Sequence, residues 1–152
     1  VTPVTVRVPA KVNLQLSVGP RRDDGYHDLV TVFHAVSLFD EVTVRPADRT
    51  SVRVTGLDAA SVPAGRANLA ARAVRALAAS LHRRGKSAVH IEIRKRIPVA
   101  AGLAGGSADA AATLVACNDL WGAGLTPAEL REVAAGVGSD VPFALLGGTA
   151  VG

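Results

Sequence analysis

The residues best placed to do chemistry lie in one stretch, Ile97-Pro98-Val99-Ala100-Ala101-Gly102-Leu103-Ala104-Gly105-Gly106-Ser107-Ala108-Asp109. It runs from a strand end, through glycines, into an alanine-rich helix start. Glycines there let backbone N–H groups approach an anion, and the positive end of the helix dipole adds to the attraction. The Ser107 hydroxyl can donate to the same anion. No Gly-Lys-Ser/Thr follows, so the loop is not a Walker A motif, and its glycine spacing is not the Rossmann fingerprint. On the glycines alone, a phosphate cradle and a plain tight turn between strand and helix are equally good readings.

Other groups could contribute. Arg94-Lys95-Arg96 leads directly into the loop, where one of its cations could act electrostatically, although such runs are usually just solvated. Tyr26 is the only tyrosine of the chain and sits on a polar turn, Asp23-Asp24-Gly25. It offers a π-face for a base, and His27 beside it can donate or accept at a base edge; covering a core edge is the plainer role. Asp140 stands where a short helix would begin, so its first reading is an N-cap. Lys11 lies in an alternating strand and reads as a solvated cation. No His, Cys, Asp and Glu residues fall at metal-ligand spacing.

The elements that must position these groups follow from periodicity. Val4, Val6 and Val8 alternate with polar residues, and alternation resumes after Pro9 at Val12, Leu14, Leu16 and Val18, predicting two strands. Gly19-Pro20 and Asp23-Asp24-Gly25 signal turns. Residues 29–45 hold one or two more strands, and 51–55 a weak one. Asn68 caps a helix through about Arg84, with Val74, Leu77 and Leu81 on one face and Gly85 to end it. Val89, Ile91 and Ile93 mark a strand, and a helix runs from about Ser107 to Trp121. Thr126-Pro127-Ala128-Glu129 is a capping box opening a third helix that ends near Gly136 or Gly138. Ser139 or Asp140 would cap a fourth before Gly147-Gly148. Cys117 and Trp121 fall near Leu114 on a core face. The order predicts one α+β domain.

Composition narrows the partner. The 152 residues are 49% hydrophobic and 20% charged, which excludes a disordered chain, and a single cysteine excludes an intrachain disulfide. With no apolar run of spanning length and no signal peptide, a cytoplasmic protein without a membrane is expected. The 17 basic residues outnumber 13 acidic ones, giving a net charge of +4. Aromatics at 3% are too few to stack successive bases of a nucleic acid, so a small polyanion fits the charge better. The chain has no methionine and stops at Gly152 within an apolar stretch, as the N-terminal part of a longer protein would.

Pro98-x-x-x-Gly102-Leu103-Ala104-Gly105-Gly106-Ser107-x-x-Ala110-Ala111 resembles the phosphate loop of the GHMP small-molecule kinases. Three further blocks look like one branch of that family. They are Pro9-Ala10-Lys11-Val12-Asn13-Leu14, Arg22-Asp23-Asp24-Gly25-Tyr26-His27 and Gly138-Ser139-Asp140-Val141-Pro142-Phe143. The glycine loop identifies only the superfamily; the lysine-asparagine and Asp-Gly-Tyr-His blocks are more specific.

The resemblance implies the GHMP N-terminal fold, a βα fold shared with ribosomal proteins, with a mixed sheet and helices packed on one side. It implies that ATP, expected as its Mg²⁺ complex, gives its γ-phosphoryl group to a tertiary hydroxyl of a methylerythritol carrying an intact cytidine diphosphate, on the non-mevalonate route to isoprenoids. Pro98, Val99, Ala100, Ala101, Gly102, Leu103, Ala104, Gly105, Gly106, Ser107 and Ala108 would wrap the phosphates, with Asn68, Leu69 and Lys95 near the adenosine. Asp140 would be the base and Lys11 its charged partner, with Asn13, Tyr26 and His27 holding the cytidylyl substrate. A tertiary alcohol is a poor nucleophile, so a carboxylate in reach of its proton makes sense, as does an ammonium beside the developing oxyanion.

Two positions depart from the family pattern: Ala108 stands where many members carry a second serine, and Ala104 where many carry glycine. Metal ligands are therefore left unassigned. Members also have a C-terminal domain that closes the cleft. The other functions open to the chain are a GHMP kinase for mevalonate-type or homoserine-like acceptors, or a non-catalytic RNA-binding domain of the same fold. The Asp-Gly-Tyr-His block argues against the former, and the combination of Lys11, Asp140 and glycine loop against the latter.

Overall fold

The computed structural model describes residues 1–83 and 85–152. Its strands are β1 (Val4–Arg21), β2 (His27–Pro46), β3 (Ser51–Gly56), β4 (Val89–Lys95) and β5 (Thr149–Val151), and its α-helices are α1 (Leu69–Ser80), α2 (Gly105–Leu120), α3 (Pro127–Ala135) and α4 (Val141–Leu146). The sheet order is β1-β2-β4-β3, with β5 paired to β2. Among the described residues only β3 and β4 run parallel, joined through α1; the other pairings are antiparallel. The sheet is therefore mixed, as the family resemblance implied.

One face of the sheet makes the core. Val42 and Val44 of β2 and Val89, Ile91 and Ile93 of β4 are buried against Val74 and Leu77 of α1 and Leu114 of α2. Nine residues of α2 are buried, so this helix is the centre of the helical layer and shows no clean polar face. Burial lifts the Cys117 thiol to about 12, well above the range in which it could react.

Several boundaries differ from those expected. The two N-terminal strands are one, because β1 passes through Pro9 with a register shift between Pro9 and Ala10. Being an edge strand, β1 loses no ladder bond at Pro9 or Pro20 that the sheet needs. The Gly19-Pro20 turn signal thus lies inside the strand, and the chain reverses only at residues 22–26. There the Tyr26 N–H donates to Asp24 Oδ1 at 3.0 Å and Gly25 takes φ +86°. Residues 29–45 form a single strand.

Helix α1 stops at Ser80, short of Gly85. His82 adopts φ +50°, and the N–H groups of His82 and Arg83 close on the carbonyls of Ala79 and Ala78. This is a Schellman termination with histidine in the place usually taken by glycine. Arg84, expected in the last turn, lies outside the described residues. Helix α2 begins two residues early, at Gly105, after Ala104 in the left-handed region. The Thr126–Glu129 capping box of α3 forms as expected.

Candidate active site

The glycine stretch turns between β4 and α2 through three left-handed residues, Ala100 (φ +58°), Gly102 (φ +74°) and Ala104 (φ +55°). Two of these are alanines, which pay for that conformation in strain. The loop walls a cleft with Val62, Pro63, Leu69, Lys95 and Asp109, which brings Pro98 to Ser107 together with Leu69 and Lys95. Ala108 is buried in the core beneath the loop and offers no atom to the cleft. Asn68 is also buried: its Oδ1 accepts from the Ala70 N–H at 2.8 Å and its Nδ2 donates to the Pro63 carbonyl at 2.8 Å. Its amide is spent on capping α1 and on holding the Pro63 carbonyl.

Lys95 does not project as a solvated cation. It continues the inward phase of Val89, Ile91 and Ile93, and its side chain is 2% exposed. The ammonium donates to Asp40 Oδ2 and, at 3.0 Å, to Asp109 Oδ2. Asp40 Oδ1 takes the N–H groups of Arg96 and Ile97 at 2.6 and 2.9 Å. Asp40 therefore pins the end of β4 from which the loop departs. Gly105 passes so close that a Cβ there would lie 2.9 Å from Lys95 Nζ, and Gly56 fits still more tightly over the Lys95 carbonyl. Burial alone would depress the Lys95 ammonium, but the facing Asp109 and Asp40 outweigh it and hold its pKa above the ordinary lysine value. Burial pushes Asp109 up to about 7 against the pull of Lys95, and the charge of Asp40 adds to the rise.

Asp40 and Asp109 were missed by sequence reasoning. A signal existed: both carboxylates, like Lys95, fall in phase with core residues, Asp40 with Val42 and Val44, and Asp109 between Ala108 and Ala110. Charges in phase with a core are paired.

A second cluster forms on β1, β2 and α4. Lys11 Nζ stands 3.7 Å from Asp140 Oδ2 and donates to Asn13 Oδ1 at 2.7 Å. It also lies 5.3 Å above the Phe33 ring, which stacks on Phe143 of α4 at 4.9 Å. Asn13 Nδ2 donates to Thr31 Oγ1 at 2.6 Å, and that hydroxyl donates on to the Gln15 carbonyl. Both ends of the Asn13 amide thus serve Lys11 and the strand ladder. Asp140 precedes α4 but makes no side-chain cap bond, so the N-cap role is not used and the carboxylate is turned to Lys11. The Lys11 N–H donates to the Leu103 carbonyl at 3.2 Å. That bond fastens the glycine loop to the strand carrying the ammonium.

Tyr26 and His27 lie elsewhere, at the tip of the β1–β2 ribbon. His27 pairs with Arg21, ten strand positions from Lys11, or roughly 30 Å along a straight strand. Register shifts at Asn13/Gln15 and Val18/Arg21 bend that path. His27 Nδ1 donates to the Gly19 carbonyl at 2.8 Å, which leaves Nε2 as the acceptor of the neutral ring. Tyr26 is 73% exposed. Among the described residues, no group of three or more His, Cys, Asp or Glu could hold a metal ion, and no helix is long and apolar enough to cross a membrane.

A glycine loop fastened to a lysine strand, with a carboxylate facing that lysine, is an arrangement able to hold an anion beside an acid-base pair. Residues 68–148 match the family described as GHMP kinases N terminal domain, and the chain belongs to that family. It is 60% identical over 150 residues to a 4-diphosphocytidyl-2-C-methyl-D-erythritol kinase of Streptomyces coelicolor, covering 98% of this chain and 50% of that protein. A crystal structure of 4-(cytidine 5'-diphospho)-2C-methyl-D-erythritol kinase superposes with a TM-score of 0.76 at 42% identity, over 98% of this chain and 52% of that one. Homoserine kinase from Cytophaga hutchinsonii, at 21% identity and TM-score 0.72 over 98% of this chain and 48% of that one, shares the fold. The chain spans about half the length of the curated relatives it matches.

Proposed function

We propose that this chain is the nucleotide-binding half of a kinase that moves the γ-phosphoryl group of ATP to the tertiary 2-hydroxyl of 4-diphosphocytidyl-2-C-methyl-D-erythritol. The observation that carries it is the bond from the Lys11 N–H to the Leu103 carbonyl, which sets an acid-base pair beside a phosphate loop. In this reading the N–H groups of the loop and the start of α2 hold the triphosphate. Asp140 accepts the acceptor's proton while the oxygen–phosphorus bond forms and ADP departs. Lys11, held by Asn13, offsets the charge gathering on that oxygen.

Mg²⁺ is expected on the nucleotide. On the phosphates that ion would neutralise their charge. At the ribbon tip, the Nε2 acceptor of His27 suits the exocyclic amine of cytosine, and the exposed face of Tyr26 suits its ring. A second domain, corresponding to the other half of the relatives' length, would close the cleft. The same reading places the enzyme in the cytoplasm.

The test is ADP release by the full-length protein with Mg²⁺-ATP and a panel of alcohols. Release with the diphosphocytidyl acceptor alone is the expected result. Release with mevalonate or homoserine instead would keep the phosphate loop and discard the roles of Tyr26 and His27. No release with any acceptor would sink the kinase reading.

A further inference from the structure

The ion cluster beneath the glycine loop holds one more negative charge than its cation can match. Lys95 from β4 is shared between Asp40 from β2 and Asp109 from α2, and these are the charged groups that face Asp109. The two carboxylates are not equivalent. Asp40 receives three donors, the ammonium and the N–H groups of Arg96 and Ile97. Asp109 receives one, at Oδ2, and its Oδ1 is the one buried side-chain polar atom among the described residues without a hydrogen-bond partner. Asp109 is 2% exposed, yet it walls the same cleft as Gly102 to Ser107. Its anion is thus the less supported of the two, and it sits where a polyanion would settle.

We infer that Asp109 is the charge-compensating residue of the phosphate site: it takes up a proton from solvent when a nucleotide's phosphates occupy the loop and returns it when they leave. The inference rests on reading the loop as a nucleotide site. Phosphates on the loop and the Asp109 carboxylate draw on the same two sources of positive potential, Lys95 and the N-terminal end of α2. Adding a polyanion beside a buried, half-satisfied carboxylate raises the cost of its charge, and neutralising that carboxylate removes the conflict. The carboxyl is poised for this near neutrality, since burial already lifts it to about 7. Lys95 is left with Asp40 as its one full counter-charge, so the end of β4 stays pinned in both states. Asp109 is a positioning residue here and touches no reacting atom.

The experiment is titration calorimetry of the full-length protein with ADP, in buffers of different ionisation heat, for wild type and Asp109→Asn. At pH 7 wild type is expected to take up as much as about half a proton more than Asp109→Asn per ADP bound. Its ADP affinity should weaken by up to about tenfold per pH unit above neutrality, a slope the variant lacks. Equal proton counts in the two proteins would overturn the inference. Should Asp109→Asn not fold, carboxyl-carbon NMR of wild type decides: the Asp109 titration must move to higher pH when ADP is added, and an unmoved titration overturns the inference. A protein that binds no ADP gives no heat in any buffer, which refutes the nucleotide reading itself and the inference with it.

Discussion

Asp140 directs its carboxylate at the Lys11 ammonium, 3.7 Å away, and leaves the free amides of the helix it opens without a side-chain cap. A residue kept only to start α4 would bond to those amides, because that is what makes aspartate a good cap. Here Phe143, stacked on Phe33, fixes the helix against β2, and the carboxylate is left to face the cation.

Asp140→Asn should therefore cost little stability and nearly all turnover. Loss of a general base of this kind lowers kcat by about a hundred- to ten-thousand-fold. Nucleotide affinity should hold, because Asp140 does not line the cleft of the loop. Steady-state kinetics with a separate ADP-binding titration checks both; a kcat within a factor of two of wild type would remove Asp140 from the base role.

Gly105 and Ala104 should respond in opposite directions. A methyl at Gly105 would meet Lys95 Nζ at 2.9 Å and Ile97 Cγ2 at 3.1 Å, and the ammonium is held between two aspartates and cannot swing aside. Gly105→Ala is expected to lose about 1–3 kcal/mol, as overpacked sites do. Ala104 already sits at φ +55°, so Ala104→Gly relieves strain and should gain about 0.5–1 kcal/mol after the added freedom of the unfolded chain. Thermal melts of the two variants settle the signs.

The raised carboxyl of Asp109 sets a direction for stability against pH. Its folded-state pKa, about 7, lies above the ordinary value of 3.8, so between those pH values the native state binds the extra proton. Its stabilising contribution is full below about pH 4 and is lost as pH rises through about 7. Denaturant melts across this window should show that fall superimposed on the other groups, and Asp109→Asn should lack it. Melts of wild type and variant that stay parallel from pH 4 to 8 would contradict the assignment.

Tyr26→Ala removes an exposed ring at the end of a ribbon, so the melting temperature should stay within about 1–2 °C of wild type. The KM for the cytidylyl acceptor should rise, and the KM for ATP should not. Unfolding of this variant would show instead that the ring packs on the molecule.

How much could be read in advance follows from the kind of interaction each residue makes. Local chemistry was legible: the capping box at Thr126, the Asn68 cap, and the alternation of Val89, Ile91 and Ile93 all form as the spacing requires. The loop and the Lys11, Asp140 pair were located through resemblance, since nothing local makes a lysine meet an aspartate from the far end of the chain. Boundaries failed where tertiary context overrode a punctuation signal: β1 runs through Gly19-Pro20 because an edge strand tolerates proline, and α1 stops at Ser80 because His82 took up the left-handed turn. Asp40 and Asp109 were missed because aspartate is normally surface chemistry. Their phase with the core, shared with Lys95, was the overlooked clue.

The β1–β2 ribbon gives the molecule a division of labour. Among the groups assigned to the donor, Ala108 lies in the core, Leu103 packs against it, and Lys95 is locked between β2 and α2. Tyr26 and His27 stand at a tip held by its own turn, with Arg22 bridging Asp24 and Asp28. Selection, or an engineer, can therefore rewrite the tip for another head group while the phosphate loop keeps its shape. Exchanging residues 22–27 between kinases of this fold should transfer acceptor preference as a cassette, because loop tips tolerate replacement where packed elements do not.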